Sequence, residues 1–225
     1  MDLSSIFRFS DMVEYFPKIL SRFPVTLLIV VVSVAGGLVL GFILAAARIF
    51  KIPVLKELAA LYISFVRGTP ILVQLFVVYY GLPLLVAPLG VDINHWSKLF
   101  FVLVTYLLND GAFMSEIIRS SIESVPKGQL EAAASVGLTT FQTYKRIIIP
   151  QAFKIAAPAF GTRVIGSFQA TAMAFTLGII DIMGQVKGYW NTYQPCSGRL
   201  CRCSDHIYHR FLFTGAFVYL DGAPA

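Results

Sequence analysis

The side chains whose types and depth could do chemistry are Asn109, Asp110, Gln169, Thr171 and Arg67, all inside or beside long apolar runs. Polar groups at bilayer depth are costly in lipid and usually face a cavity or one another. A carboxylate such as Asp110 can hold an ammonium group. Amides and hydroxyls can donate to a carboxylate, so the set suits a zwitterionic cargo. The same groups serve equally as interhelical hydrogen bonds, worth ~0.6–2 kcal/mol each. Arg67 has three readings: a gate, an ion-pair partner for a carboxylate such as Glu116, or an arginine that snorkels to the interface. A second constellation is Glu131-Ala132-Ala133, Gly137, Ile147 and Pro150. It is a polar, helix-forming segment between two apolar ones. It offers one carboxylate and small residues that permit close approach, which is a docking surface and not a reaction centre.

No reaction centre emerges elsewhere. The chain has no G-x-x-x-x-G-K-[ST] phosphate loop, no G-x-S-x-G elbow and no His/Glu metal pair on one helical face. Nucleotide chemistry must therefore reside on another chain, and this one is expected to bind neither a cofactor nor a metal. The three cysteines, Cys196, Cys201 and Cys203, sit near the C-terminus and are odd in number. They read as free thiols, with a metal site involving His206 or His209 as the minor alternative.

The elements that must position these groups are transmembrane helices. Of 225 residues, 57% are hydrophobic and 13% charged, too apolar for a soluble domain of this size. The net charge of +6 does not indicate nucleic acid, because the basic residues flank apolar runs instead of forming an aromatic-interleaved patch. Residues 1–22 read as an amphipathic interfacial helix. No charge occurs between Arg22 and Arg48. At ~1.5 Å per residue against a ~30 Å hydrocarbon core, residues 24–47 cross once. Gly36, Gly37, Gly41 and Ala45–Ala47 suit close contact with another helix. The run from Leu58 to Val91 would reach ~50 Å as one helix, so it is split at Gly68–Pro70 into a helix at 53–66 and a span at 70–88. Residues 86–96 then form a short external loop. A span at 98–118 leads to the strongly basic 119–155 loop, which positive-inside asymmetry places in the cytoplasm. Within that loop a helix over 129–136 ends at Gly137. Thr139 or Thr140 caps a second short helix that stops before Pro150. Residues 156–180 form a fourth span and 181–193 an outer loop. A fifth span is degraded: Arg199, Arg202, Asp205 and Arg210 precede the short apolar stretch Phe211–Leu220.

The Glu131–Pro150 segment resembles the EAA motif of binding-protein-dependent ABC importers: EAA, three residues, Gly, nine residues, Ile, any residue, an aliphatic, Pro. Every spacing matches, with Ile149 where Leu is usual. Phe65-Val66-Arg67-Gly68-Thr69-Pro70, Glu116-x-x-Arg119 and Pro126-Lys127-Gly128-Gln129 resemble the subfamily of polar amino-acid permeases. Where those relatives tend to have Lys-Asp/Asn-Thr-Ser in the fourth span, this chain has Gln169-Ala170-Thr171-Ala172. The resemblance covers residues from about 20 to 195. It implies an all-α polytopic bundle of the type I ABC importer fold with about five spans. An N-terminal segment at 1–22 would precede a transmembrane domain at 23–222. It further implies a translocation pore in a bacterial plasma membrane, with Glu131, Ala132, Ala133, Gly137, Ile147 and Pro150 docking a separate ATPase that holds ATP and Mg. A second permease subunit, identical or homologous, and an extracytoplasmic solute-binding protein are the remaining implied partners. Two alternatives stay open: an importer of another small solute such as methionine, and a permease made defective by a local frameshift near its end.

Overall fold

Phe23–Ile49 forms the longest helix (α2) because nothing in it interrupts the apolar run and Pro24 occupies the first turn, where its missing N–H is no loss. The computed structural model describes residues 9–193, and side chains for 15–188. It divides the chain into two units, Met1–Gln185 and Val186–Ala225. Of the second, the described part is the end of helix α10 (Ile182–Tyr193). The cysteines, the charged segment after residue 195 and the expected fifth span lie outside the described residues, as do residues 1–8.

A short helix, α1 (Phe9–Leu20), precedes α2. After α2 the chain turns through Lys51 and Val54, both at positive φ (52° and 64°). The left-handed region is costly for a β-branched side chain such as Val54. Helix α3 (Leu55–Gly68) follows. Thr69 and Pro70 are extended, with ψ of 142° and 139°, so the expected break falls there. The next span is one helical rod with local changes of pitch: α4 (Ile71–Phe76), a π turn at Val77–Gly81, α5 (Leu82–Val86) and a 3₁₀ turn at Ala87–Leu89. Gly90 closes it at φ 76°. In the following loop, Asp92 accepts from the backbone and side-chain amides of Asn94, which hold its carboxyl below the usual range. Ser97 caps α6 (Lys98–Glu123), its hydroxyl accepting from Leu99 N.

α6 is the hub of the first unit, packed most extensively on α2 and also on α3 and α9 (Ile149–Ala170). Glycine makes the α2 contact possible. A Cβ on Gly37 would lie 2.6 Å from Asp110 Cβ, and one on Gly41 would lie 2.9 Å from Met114 Cβ. The main apolar cluster gathers Ile29, Leu75, Val102, Tyr106, Ala174 and Leu177. Among the described residues three helical stretches are long and apolar enough to cross a membrane: Tyr15–Ile49, Ile71–Leu89 and Lys98–Glu123. A fourth is added if Thr140–Leu177 and Ile182–Gly188 make one span.

Two expectations need correction. The second helix of the 119–155 loop does not stop before Pro150. Short α8 (Thr140–Thr143) passes through a π turn, Tyr144–Ile148, directly into α9. The wider π turn makes room where the Pro150 ring would press on the preceding carbonyl, so the proline is absorbed in the first turn of α9. The fourth span therefore starts earlier than residue 156, and its regular helix gives way to a 3₁₀ turn at Thr171–Leu177 that ends on Gly178 (φ 83°). The stretch 181–193 is the second correction. It is helix α10 from Ile182 onward, not a loop. Asp181 starts it, accepting from Gly184 N in the manner of an N-cap.

Candidate functional site: a buried polar chain and a docking hairpin

Arg163 and Ser167 stand four residues apart on α9, so both face α6. Asp110, 1% exposed, meets them. Its Oδ1 accepts from Arg163 Nε and from Ser167 Oγ, each at 2.7 Å. Arg163 Nη2 also donates to Asn109 Oδ1 at 2.6 Å. Asn109 Nδ2 donates to Gln74 Oε1 at 2.9 Å. Gln74 Nε2 in turn donates to the carbonyls of Val66 and Thr69 at 2.7 and 3.0 Å. The guanidinium of Arg163 lies 4.0 Å from the Phe113 ring centroid. One continuous polar chain thus ties α9, α6, α4 and the end of α3. Asp110 Oδ2 is buried and has no hydrogen-bond partner among the described residues.

Of the sequence candidates, Asn109 and Asp110 come together. Thr171 is separate: its hydroxyl is shared between Phe168 O and the fully buried carboxylate of Asp181. Ile182 N donates to Thr26 Oγ1 at 3.3 Å, fastening this end to α2. Gln169 lies on the exposed side of α9 and joins neither group. Arg163, Ser167, Gln74 and Asp181 were not singled out from sequence. A lone arginine and a lone aspartate at matching depth in two apolar helices are a usable signal, because each needs the other.

At the other end of α6, Glu116 gathers three arginines. Arg48 donates to it at 2.7 Å, Arg119 forms a close pair, and Arg67 stands 4.0 Å away with its guanidinium over Phe113. Arg119 also pairs with Glu123. Arg67 is thus an ion-pair neighbour of Glu116, and the group fastens α2, α3 and α6 together.

The segment that carries Glu131 to Pro150 is a hairpin. α7 (Gly128–Ser135) ends at Gly137, whose φ of 78° favours glycine. Thr139 then forms a capping box with Gln142. One side packs on its own chain: Ala133 is buried, and Ile148 joins Val125 and Ala152, with Ile147 packed against them. The other side is open. Glu131 and Ala132 are exposed, as are Val136 (74%) and Phe141 (73%). Pro150 is exposed at the root of α9. A carboxylate beside exposed apolar side chains is the character of a protein interface.

The family described as "Binding-protein-dependent transport system inner membrane component" matches residues 37–187. The L-cystine transport system permease protein TcyL of Bacillus subtilis (strain 168) is 44% identical over 172 residues, which are 76% of this chain and 72% of that protein. The nopaline transport system permease protein NocM of Agrobacterium fabrum (strain C58 / ATCC 33970) is 37% identical over 188 residues, 81% of this chain and 78% of that one. A crystal structure of an amino acid ABC transporter with histidines superposes with a TM-score of 0.73 at 29% identity, covering 96% of this chain and 98% of that one.

Proposed function

This chain belongs to the family of binding-protein-dependent transport system inner membrane components, and on that premise we propose that it is the permease subunit of an ATP-driven amino-acid importer. The observation that carries the reading is the joint presence of the family match and the hairpin it contains. The relatives named above as amino-acid, cystine and nopaline permeases support the cargo class.

The mechanism follows from the hairpin's continuity with the membrane. Glu131, Ala132 and Gly137 form the face that meets a separate ATPase, Ala133 packs beneath it against its own chain, and Ile147 and Pro150 stand at its root. ATP and Mg belong to that partner. From Thr140 to Arg163 the chain is continuously helical over roughly 35 Å, through the π turn and past Pro158. A displacement of the hairpin therefore arrives at the Arg163–Asp110 contact as a rigid-body tilt, and the pore changes from outward to inward access. Asn109 and Asp110 act within the polar chain that registers the helices. Gln169, exposed on α9, stands toward the candidate cargo route, whereas Thr171 is buried and holds Asp181 at the start of α10; Arg67 with Glu116 closes the inner end of the route. A second permease subunit completes the pore, an extracytoplasmic binding protein delivers the cargo, and the assembly lies in a bacterial inner membrane.

The test is reconstitution. The chain is co-expressed with the ATPase and binding protein encoded beside it and placed in proteoliposomes. ATP-dependent accumulation of a labelled amino acid is expected, suppressed by omission of the binding protein. ATP-independent uptake, or no retention of the ATPase on the purified permease, would overturn the reading.

A further inference from the structure

A groove of ≈ 840 Å³ runs between α2, the end of α6 and the start of α9, within the ~300–1,000 Å³ of ligand-sized sites. Its walls include Leu38 and Phe42 from α2, Phe50 at its C-terminal cap, Lys145 from the π turn, and Phe153 and Phe160 from α9. Apart from Lys145 and the hydroxyl-bearing Ser121 and Tyr144, the lining side chains are hydrocarbon.

The groove's length identifies its occupant. Along α2, from Phe50 to Leu38 is about 18 Å, and along α9 from Ile149 to Phe160 about 17 Å. One leaflet of a ~30 Å hydrocarbon core is ~15 Å deep. Leu38 sits close to the middle of α2, so the groove opens at one membrane interface and ends near the midplane. Exposed apolar side chains continue past the groove, at Leu27, Leu28 and Val31 on α2 and Ile165 on α9, but the concavity itself is one leaflet deep, the length of a seat for an acyl chain.

Its open end is basic. Lys145 lies there, its Nζ 5.9 Å from the Phe141 ring centroid. Lys51 adjoins Phe50, and Arg146 adjoins Lys145. All three are exposed, and none is paired with a carboxylate among the described residues. Unpaired cations at a membrane interface attract anionic headgroups.

We propose that this groove seats one anionic phospholipid of the leaflet that meets the hairpin, an acyl chain lying along α2 and α9 and the phosphate held by Lys145 with Lys51 and Arg146. The site has a mechanical consequence. Phe141, Tyr144 and Lys145 belong to the junction between hairpin and span, so the bound lipid touches both α2 and the root of the moving rod. An anionic lipid there sets the angle between them. The inference needs only that the chain spans a membrane with the hairpin at one interface, and it stands apart from the identity of the cargo.

The test uses the full chain in nanodiscs of equal parts palmitoyl-oleoyl phosphatidylglycerol and phosphatidylcholine, followed by gentle detergent extraction and native mass spectrometry. The wild type is expected to retain one phosphatidylglycerol in preference to phosphatidylcholine. Lys145→Glu, at an exposed position, lowers that preference by roughly tenfold or more, since each cation near an anionic surface carries about a fivefold effect and reversal doubles it in energy. Ala46→Phe, which fills the groove, removes both lipids. Equal retention of the two lipids by the wild type, or unchanged preference in Lys145→Glu, overturns the proposal even where Ala46→Phe fails to fold. Crosslinking of Phe153→Cys to a second copy or to another subunit in the assembled complex overturns it as well, since a protein then occupies the groove.

Discussion

Arg163→Met removes the only cation hydrogen-bonded to Asp110 among the described residues, and its cost can be worked from the contacts. Asp110 is 1% exposed and cannot regain water by a small shift. Its Oδ1 keeps one donor, Ser167 Oγ at 2.7 Å, while Oδ2 already has none. Breaking a buried pair from one side costs ~3–5 kcal/mol because the remaining charge is stranded. Loss of the Phe113 stacking adds up to ~2 kcal/mol in a desolvated site. The total, roughly 3–7 kcal/mol, is a large share of a stability of ~5–15 kcal/mol. Arg163→Lys recovers part of it, since one ammonium replaces the Nε donor but does not reproduce the fork that also reaches Asn109. The double change Arg163→Met with Asp110→Leu removes both charges, and the stranded-charge cost disappears with them. Unfolding is followed by SDS titration or thermal denaturation in detergent, with uptake measured in parallel. The single variant should lose several kcal/mol and the double should recover most of it. If the double variant is as unstable as the sum of the two singles, the pair is not coupled and the reasoning fails. Stability recovered without recovery of uptake would show that the charges also serve transport.

Other outcomes follow from the hairpin, the α2–α6 contact and the topology. Glu131 is exposed, so Glu131→Lys should leave stability within ~0.5 kcal/mol while the ATPase no longer co-purifies. Retention of the ATPase at wild-type yield with uptake intact counts against the docking role. Gly137→Val forces a β-branched residue to φ 78°, straining the turn by roughly 1–2 kcal/mol, and ATP hydrolysis should continue without uptake. Gly41→Leu places a side chain where a Cβ already lies 2.9 Å from Met114 Cβ and from Ser115 N. It should cost ~1–3 kcal/mol or prevent assembly, and a neutral effect on Tm argues against the close α2–α6 packing. Asn94→Cys should react with an impermeant thiol reagent added outside and Lys127→Cys should not, in a background without Cys196, Cys201 and Cys203. The reverse pattern inverts the topology.

What the sequence reveals and what it hides divide along a physical line. The α2 span, the break at Pro70 and the left-handed Gly137 are local: each is decided by hydrophobic length or by one residue's backbone preference. The glycines facing α6 were visible as small residues but not their target, because Gly37 gains its meaning only from Asp110 on a helix more than seventy residues away. Pro150 misled for a related reason. A proline after a short polar helix reads as a stop, and the alternative, a π turn that widens the preceding ring of backbone, depends on the packing of Ile148 against Val125 and Ala152. Asp181 misled in the other direction: an acidic residue at the end of an apolar run, with Gly184, Gln185 and Lys187 soon after, resembles the start of a loop, whereas here it is fully buried, satisfied by Gly184 N and Thr171. The candidate site shows the same division. Asn109 and Asp110 were recognisable because polar groups are costly at bilayer depth. Their partners were harder to find, since an arginine in a fourth span is equally consistent with snorkelling until a carboxylate is found within reach. Pairing by depth closes that gap: Asp110 lies 12 residues into α6 and Arg163 lies 14 residues into α9, counted from Lys98 and Ile149. The spans legible in the sequence, 98–118 and 156–180, already give the match: running in opposite directions, they place Asp110 eight residues from 118 and Arg163 seven from 156, ~12 and ~11 Å from the same interface at ~1.5 Å per residue.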